Sequence, residues 1–231
     1  MGNHEMVQET VKREKIGLLG GTFDPVHNGH LAVAQHVLQA LALDSIWFIP
    51  AALPPHKASH ADGGSISAFS HRSAMLALAL AGYSAFVLSD IEAERPSPSY
   101  SIDTINLLHA RLKETTDLYF IIGGDAFLEI TTWKKYRELP DLVHFVVISR
   151  PAYDSGEIGE CIRRNFAGYA SDPSRRTWSS PSSRGSFILL QMEPVPISST
   201  EIRERVRDGK DIRGLVPSAV ADYIRKNHLY A

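Results

Sequence analysis

Gly20-Gly21-Thr22-Phe23-Asp24-Pro25-Val26-His27-Asn28-Gly29-His30 is the stretch on which the reading of this sequence turns. Just before it, Ile16–Leu19 is a short apolar run of the kind that forms a buried strand. Just after it, Leu31, Ala34, Val37, Leu38 and Leu41 recur at helical spacing within Gly29–Leu43. Ser45–Ile49 then predicts a second strand, stopped by Pro50. The quoted stretch is therefore the first loop of a β-α-β unit, the opening of a parallel sheet. In open sheets of this kind, ligands bind at the carboxyl ends of the strands, where this loop falls.

The composition of the loop suits an anion. Gly20 and Gly21 let a ligand come close to the backbone. Asn28 is placed to cap the following helix, with His30 inside its first turn. His27 and His30 are then one turn apart, at a helix N-terminus whose free N–H groups and dipole favour negative charge. Gly29 leaves room for a nucleotide against the helix. The loop is neither a Walker A sequence, which needs Gly-Lys-Ser/Thr, nor the spaced-glycine dinucleotide fingerprint. A His-x-x-His pair alone is weak, since the chain holds ten histidines. Zinc is the competing use, but no third ligand stands nearby in sequence.

The alternation continues outward from this unit. Arg72–Ala81 and Ser101–Leu112 predict helices, and Ala85–Ser89, Leu118–Ile122 and Val143–Ser149 predict strands. This predicts an α/β doubly wound parallel sheet with helices on both faces. Two stretches break the rhythm. Pro50–Ser70 predicts a long, mobile loop, and Ala170–Ser186, rich in Ser, Arg and Pro, predicts a flexible connection. Near the end, Ser198 and Glu201 have capping-box spacing, ahead of a helix from Ser199 that should stop near Gly209. Pro217 suits the first turn of a last helix over Ser218–Lys226. The domain reading is a loose segment over 1–15, a core over 16–197 and a small C-terminal helical part over 198–231.

The sequence Ile197-Ser198-Ser199-Thr200-Glu201-Ile202-Arg203 offers hydroxyls and free N–H groups at a helix start, with Arg203 one turn in. Taken alone it reads as an ordinary capped helix. Net charge is −2 with a pI near 6.5, and no basic stripe is visible, which argues against a nucleic-acid partner. The most apolar stretch, Met75–Leu88, is too short for a bilayer, so no membrane association is expected. One cysteine, Cys161, and a polar N-terminus suit a cytoplasmic protein. The sequence leaves oligomeric state open, a homo-oligomer included.

Together, Gly-Thr-Phe-Asp-Pro-x-His-x-Gly-His and Ile-Ser-Ser-Thr-x-x-Arg, near opposite ends of one chain, resemble the nucleotidyltransferases with the His-x-Gly-His signature. Within them the chain is similar to the bacterial nicotinate mononucleotide adenylyltransferases, and the resemblance spans nearly its whole length. Pro54-Pro55-His56-Lys57, Ser99–Thr104, Ile122-Gly123-Gly124-Asp125, Trp133, the strand ending in Arg150, Leu215-Val216-Pro217, Tyr223-Ile224 and Leu229-Tyr230 match the family pattern. Ser101 and Gly124 depart from it, standing where the family often has Thr and Ala.

The resemblance implies a Rossmann-like core and adenylyl transfer from ATP to nicotinate mononucleotide, with magnesium accompanying the ATP on phosphate oxygens and water and no protein metal ligand. It implies catalytic roles for His27, His30 and Arg203. It places ATP against Gly20, Gly21, Thr22, Phe23, Gly29, Lys57, Gly123, Asp125, Ser199 and Thr200. It places the mononucleotide against Ser101, Thr104, Trp133 and Arg150, with Trp133 stacking on the pyridine and the N–H groups near Ser101 and Thr104 meeting the carboxylate. Trp133 alone is equally a core residue. The competing functions are another adenylyl- or cytidylyltransferase, such as pantetheine-phosphate adenylyltransferase, and a non-catalytic nucleotide-sensing module.

Overall fold

The computed structural model describes residues 12–52, 65–95, 98–149, 155–174 and 176–231. Its centre is an eight-stranded sheet in the order β3-β2-β1-β4-β5-β8-β7-β6. The strands are β1 (Glu14–Gly21), β2 (Ser45–Pro50), β3 (Phe86–Leu88), β4 (Thr116–Gly123), β5 (His144–Ser149), β6 (Ala170–Asp172), β7 (Thr177–Ser179) and β8 (Ser186–Gln191). All neighbours from β3 across to β8 run parallel, and β7 and β6 add an antiparallel end. The helices are α1 (Asn28–Ala40), α2 (Phe69–Leu80), α3 (Ser101–Arg111), α4 (Gly124–Leu128), α5 (Ser155–Asn165), α6 (Ser199–Arg207) and α7 (Ser218–Lys226).

The period of two along the strands divides the core. On β1, Ile16 and Leu18 join one buried cluster while Leu19 joins the other. On β5, Phe145 and Val147 face the first and Val146 the second. The first cluster takes Ile102, Ile105 and Leu108 of α3, Phe127 of α4 and Ile158 and Ile162 of α5. The second takes Leu31, Ala34 and Val37 of α1, Met75 and Leu76 of α2, Ile202 of α6 and Val220 and Ile224 of α7. This is the Rossmann-like, doubly wound arrangement predicted above, with helices on both faces.

The predicted helices and strands sit within a few residues of their expected limits. α7 covers Ser218–Lys226, with Pro217 at its cap. Gly209, at φ 67°, follows α6 as expected. The reading of Ala170–Ser186 as a flexible connection is corrected. It holds β6 and β7, which pair through Ala170↔Ser179 and extend the sheet through Trp178↔Phe187. The strands are too short and polar to show a period; Trp178, 8% exposed, supplies their hold on the core. Of the long loop predicted over Pro50–Ser70, residues 53–64 lie outside the described residues, and α2 begins at Phe69. Residues 1–11 of the N-terminal segment also lie outside them. No helix among the described residues is long and apolar enough to cross a membrane.

Candidate active site

The chain builds outward from β1 to β2 and β3, then resumes on β1's other side with β4 and β5, so strand order reverses between β1 and β4. Crevices for ligands form at such a reversal. The loop after β1 and the turn after β4 flank it.

His27, not Asn28 as expected, is the N-cap of α1, with extended backbone at φ −145°. Asn28 is the first helical residue. Its side chain donates to the carbonyl of Gly214 at 2.8 Å and its N–H to Leu215 at 2.9 Å, tying the helix start to the approach to α7. The His27 N–H donates to Nδ1 of His30 at 3.2 Å. An accepting Nδ1 leaves the proton of the neutral ring on Nε2, so His30 offers an N–H donor there. The two rings stack, centroids 3.7 Å apart. Burial pushes His27 down to about 4, and burial together with its neighbour His27 pushes His30 down to about 3. Both rings are therefore neutral donors and acceptors at neutral pH until an anion arrives to favour charge.

Two adjoining cavities meet at this pair. The first is lined by His27, Gly29, His30, Gly123, Gly124 and Asp125, and also by Met192–Val195 and Ile197. The second shares His30, Val33, Gly123 and Ile148 with it, and adds Gly20, Gly21, Thr22, Glu92, Ser101 and Trp133. Trp133 meets Phe120 edge-on at 5.8 Å, so its ring is braced while part of it faces the cavity. Ser101 opens α3, where first-turn N–H groups lack partners inside the helix.

Other expected residues take different positions. A Cβ on Gly29 would sit 3.0 Å from the His27 imidazole. The missing side chain thus makes room first for His27. Phe23, 2% exposed at φ 51°, turns its ring into the core and meets His30 edge-on at 4.9 Å. It supports His30 from behind. Thr104 is 4% exposed and lines neither cavity. Its N–H bonds the Tyr100 carbonyl at 3.2 Å and its hydroxyl donates to Glu92 at 2.7 Å, so the helix-start donor expected of Thr104 is already used. Lys57 and Arg150 lie outside the described residues.

The second signature motif grips the first from below. Ser198 caps α6 by accepting from the Glu201 N–H at 3.1 Å. The Ser199 hydroxyl donates to the Pro25 carbonyl at 2.9 Å. Arg203 donates to the Asp24 carbonyl at 2.9 Å and to the Thr200 hydroxyl at 3.2 Å. Arg203 is 4% exposed and lines a third cavity with Ser65, His71, Arg207 and Tyr230. The motifs touch one another, as expected of partners, but Arg203 lies against the back of the loop and does not line the His27–His30 cavities.

Sequence reading missed Arg72. It is 1% exposed, and its guanidinium donates to the carbonyls of Ser67 at 3.0 Å, Thr22 at 2.8 Å and Ala51 at 2.8 Å. It thereby staples the ends of β1 and β2 to the approach to α2. The signal was present: Arg72 stands in phase with Met75, Leu76 and Ala79, a charge on an apolar helical face.

Comparison with known proteins agrees with this fold. The cytidylyltransferase-like family profile matches residues 18–205. A probable nicotinate-nucleotide adenylyltransferase of Desulfitobacterium hafniense is 38% identical over 217 residues, 94% of this chain and 96% of the relative. That of Pseudomonas syringae pv. tomato is 39% identical over 222 residues, 96% of each. Among solved structures, Plasmodium falciparum nicotinic acid mononucleotide adenylyltransferase complexed with NaAD superposes with a TM-score of 0.70 at 22% identity, over 94% of this chain and 98% of that one. At that identity the match speaks to the fold.

Proposed function

The chain belongs to the nicotinate-nucleotide adenylyltransferases, within the cytidylyltransferase-like family, and from that membership we propose that it joins ATP and nicotinate mononucleotide to give nicotinate adenine dinucleotide and pyrophosphate. The observation that carries the reading is the stacked His27–His30 pair, held neutral at a helix N-terminus where the strand order reverses.

A phosphate oxygen of the mononucleotide attacks the α-phosphorus of ATP in line. The bond from that phosphorus to the bridging oxygen breaks, and pyrophosphate leaves with the electron pair. The enzyme supplies no nucleophile; it positions two anions and meets the charge that gathers on the leaving group. His27 and the Nε2–H of His30 face the triphosphate, and the first turn of α1 adds N–H groups and its dipole. Gly20, Gly21, Thr22, Gly29 and Gly123 form the walls, and Asp125 meets ribose or the adenosine half. The C-terminal part over 198–231 completes the phosphate site: Ser199, Thr200 and Arg203 hold the loop from behind, and the charge of Arg203, acting through the loop rather than by lining the cavities, joins Lys57 in favouring the β and γ phosphates.

Magnesium fits as a companion of ATP. The ion takes oxygen ligands, which the triphosphate and water supply, whereas the paired imidazoles are not its preferred ligands. When bound, the ion neutralises phosphate charge.

For the mononucleotide, Trp133 stacks on the pyridine, Ser101 turns its helix-start N–H to the nicotinate carboxylate, and Arg150 holds the phosphate end. A carboxylate gains more than a carboxamide at a helix N-terminus. Pyrophosphate release measured with nicotinate and nicotinamide mononucleotides tests this: kcat/KM for the acid should exceed that for the amide by about tenfold or more, the effect of one charge-assisted hydrogen bond. Equal efficiency would remove the acid from the proposal. CTP in place of ATP, and pantetheine phosphate in place of the mononucleotide, should give no turnover.

A further inference from the structure

Asp24 stands in the middle of the signature loop, yet it is 1% exposed and lines neither of the two adjoining cavities. Its Oδ2 accepts from the Ser67 N–H at 2.8 Å, and its Oδ1 accepts from the Tyr230 phenol. Its carbonyl accepts from Arg203. One residue therefore joins the loop to the approach to α2, to α6 and to the segment after α7.

The chain bends sharply to make the Tyr230 contact. His228 at φ 50° and Tyr230 at φ 66° are both left-handed, as is Phe23 at φ 51° beside Asp24. Non-glycine residues hold such backbone only where surrounding contacts over-determine it. Those contacts are visible: the Leu229 N–H bonds the Ile224 carbonyl at 3.1 Å, Leu229 packs on the cluster holding Val220 and Ile224, and Tyr223 bonds His71 of α2 at 3.0 Å. Burial and the Asp24 charge push the Tyr230 phenol up, so it remains protonated and donates.

We propose that Tyr230 is a positioning residue for adenylyl transfer: its phenol fixes Asp24, and Asp24 fixes the turn that carries His27 and His30 to the cavities. Only Pro25 and Val26 separate Asp24 from the His27 N-cap, and Phe23, on the other side of Asp24, backs the His30 ring. A buried carboxylate that loses one donor rotates or shifts to regain it, and displacement of catalytic groups by about 1 Å costs about 100-fold in rate. The proposal rests on the adenylyl-transfer reading, since it is that chemistry the positioning serves.

The test is Tyr230→Phe in the full chain, which keeps the ring and deletes the phenol's hydrogen bonds to Asp24 and Ser67. Three quantities are measured: steady-state kcat and KM, the melting temperature, and the NMR signals of the His27 and His30 imidazoles, assigned by single-histidine variants. Tyr169→Phe is the control, because it deletes a phenol that bonds Ser183 at 2.7 Å beside the β6 end of the sheet. Tyr230→Phe should lower kcat about tenfold or more, the effect of one hydrogen bond to a charged group. It should leave KM for the mononucleotide within about twofold, since the hydrogen bond lies on the triphosphate side. It should also shift both imidazole signals, whereas Tyr169→Phe should lower only the melting temperature. Tyr230→His, which keeps a ring and a donor, should recover part of the lost kcat. A Tyr230→Phe protein that melts earlier but retains wild-type kcat and imidazole signals overturns the proposal, as does equal kcat in the His and Phe variants. Should the wild-type chain itself release no pyrophosphate, the functional reading fails, and the imidazole shifts alone decide whether Tyr230 positions the pair.

Discussion

His27 and His30 resist protonation because burial withholds water from the charged ring, and a charge on one discourages a charge on its stacked neighbour. In the unfolded chain each imidazole takes its proton near 6.5, but in the folded chain only near 4 for His27 and 3 for His30. Between those values the unfolded state binds more protons than the folded one. The stability linked to the neutral rings is complete above pH 6.5 and drains away as pH falls towards 4 and then 3. The melting temperature should therefore fall across that range, and His30→Ala should flatten the fall; parallel curves for the two proteins would refute the linkage. The same variant should fold at neutral pH yet lose about 10²–10³-fold in kcat, the usual cost of one donor aimed at developing charge. A wild-type rate in His30→Ala would take His30 out of the mechanism.

Among the elements, legibility followed length and apolar content. β1, α1, β2 and β4 carry their buried faces in plain periodicity, so the sequence placed them within a few residues. β6 and β7 are three residues each and mostly polar, and no local pattern marks them. They form because Trp178 packs against the backbone at Gly159, where a Cβ would lie 3.1 Å from its ring. α5 escaped notice because Ile158, Cys161 and Ile162 are set among charges. β8 held a readable apolar run, Phe187–Leu190, hidden only by the polar segment before it. Gly185 is the joint of this region. A Cβ there would sit 2.0 Å from the Val143 carbonyl and 2.3 Å from that of Pro140, both backbone atoms that have little room to yield. Gly185→Ala should cost about 3 kcal/mol, the upper range for an overpacked core. Urea unfolding measures it, and an unchanged midpoint would mean the turn does not approach β5 as described.

At the scale of the whole molecule, the sheet separates two apolar clusters, and the site lies at the reversal of strand order between them. The two signature motifs were legible as partners only together, through the family they resemble, since the second taken alone reads as an ordinary capped helix. Their mutual orientation was not. Nothing in spacing distinguishes an arginine that lines the His27–His30 cavities from one that, like Arg203, reaches the Asp24 carbonyl behind them. Because loop, α6 and the Tyr230 segment are bonded to one another, ATP binding should stabilise the chain globally. At about 100 times its Kd, ATP should add about 2.7 kcal/mol. For a chain of this size that raises the melting temperature by about 5–10 °C. A rise with CTP as large as that with ATP would speak against adenine selectivity.

Arg72 has a consequence for how such a sequence can drift over generations. Its fork closes on three carbonyls, those of Thr22, Ala51 and Ser67, and every amino acid carries a carbonyl. The staple is blind to the letters it holds together. Substitutions at those three positions leave its grip intact, while lysine at position 72 could not span the same three acceptors with one compact head. Ancestry is thus freer to rewrite the rim of the site than the one hidden side chain that keeps the rim in place.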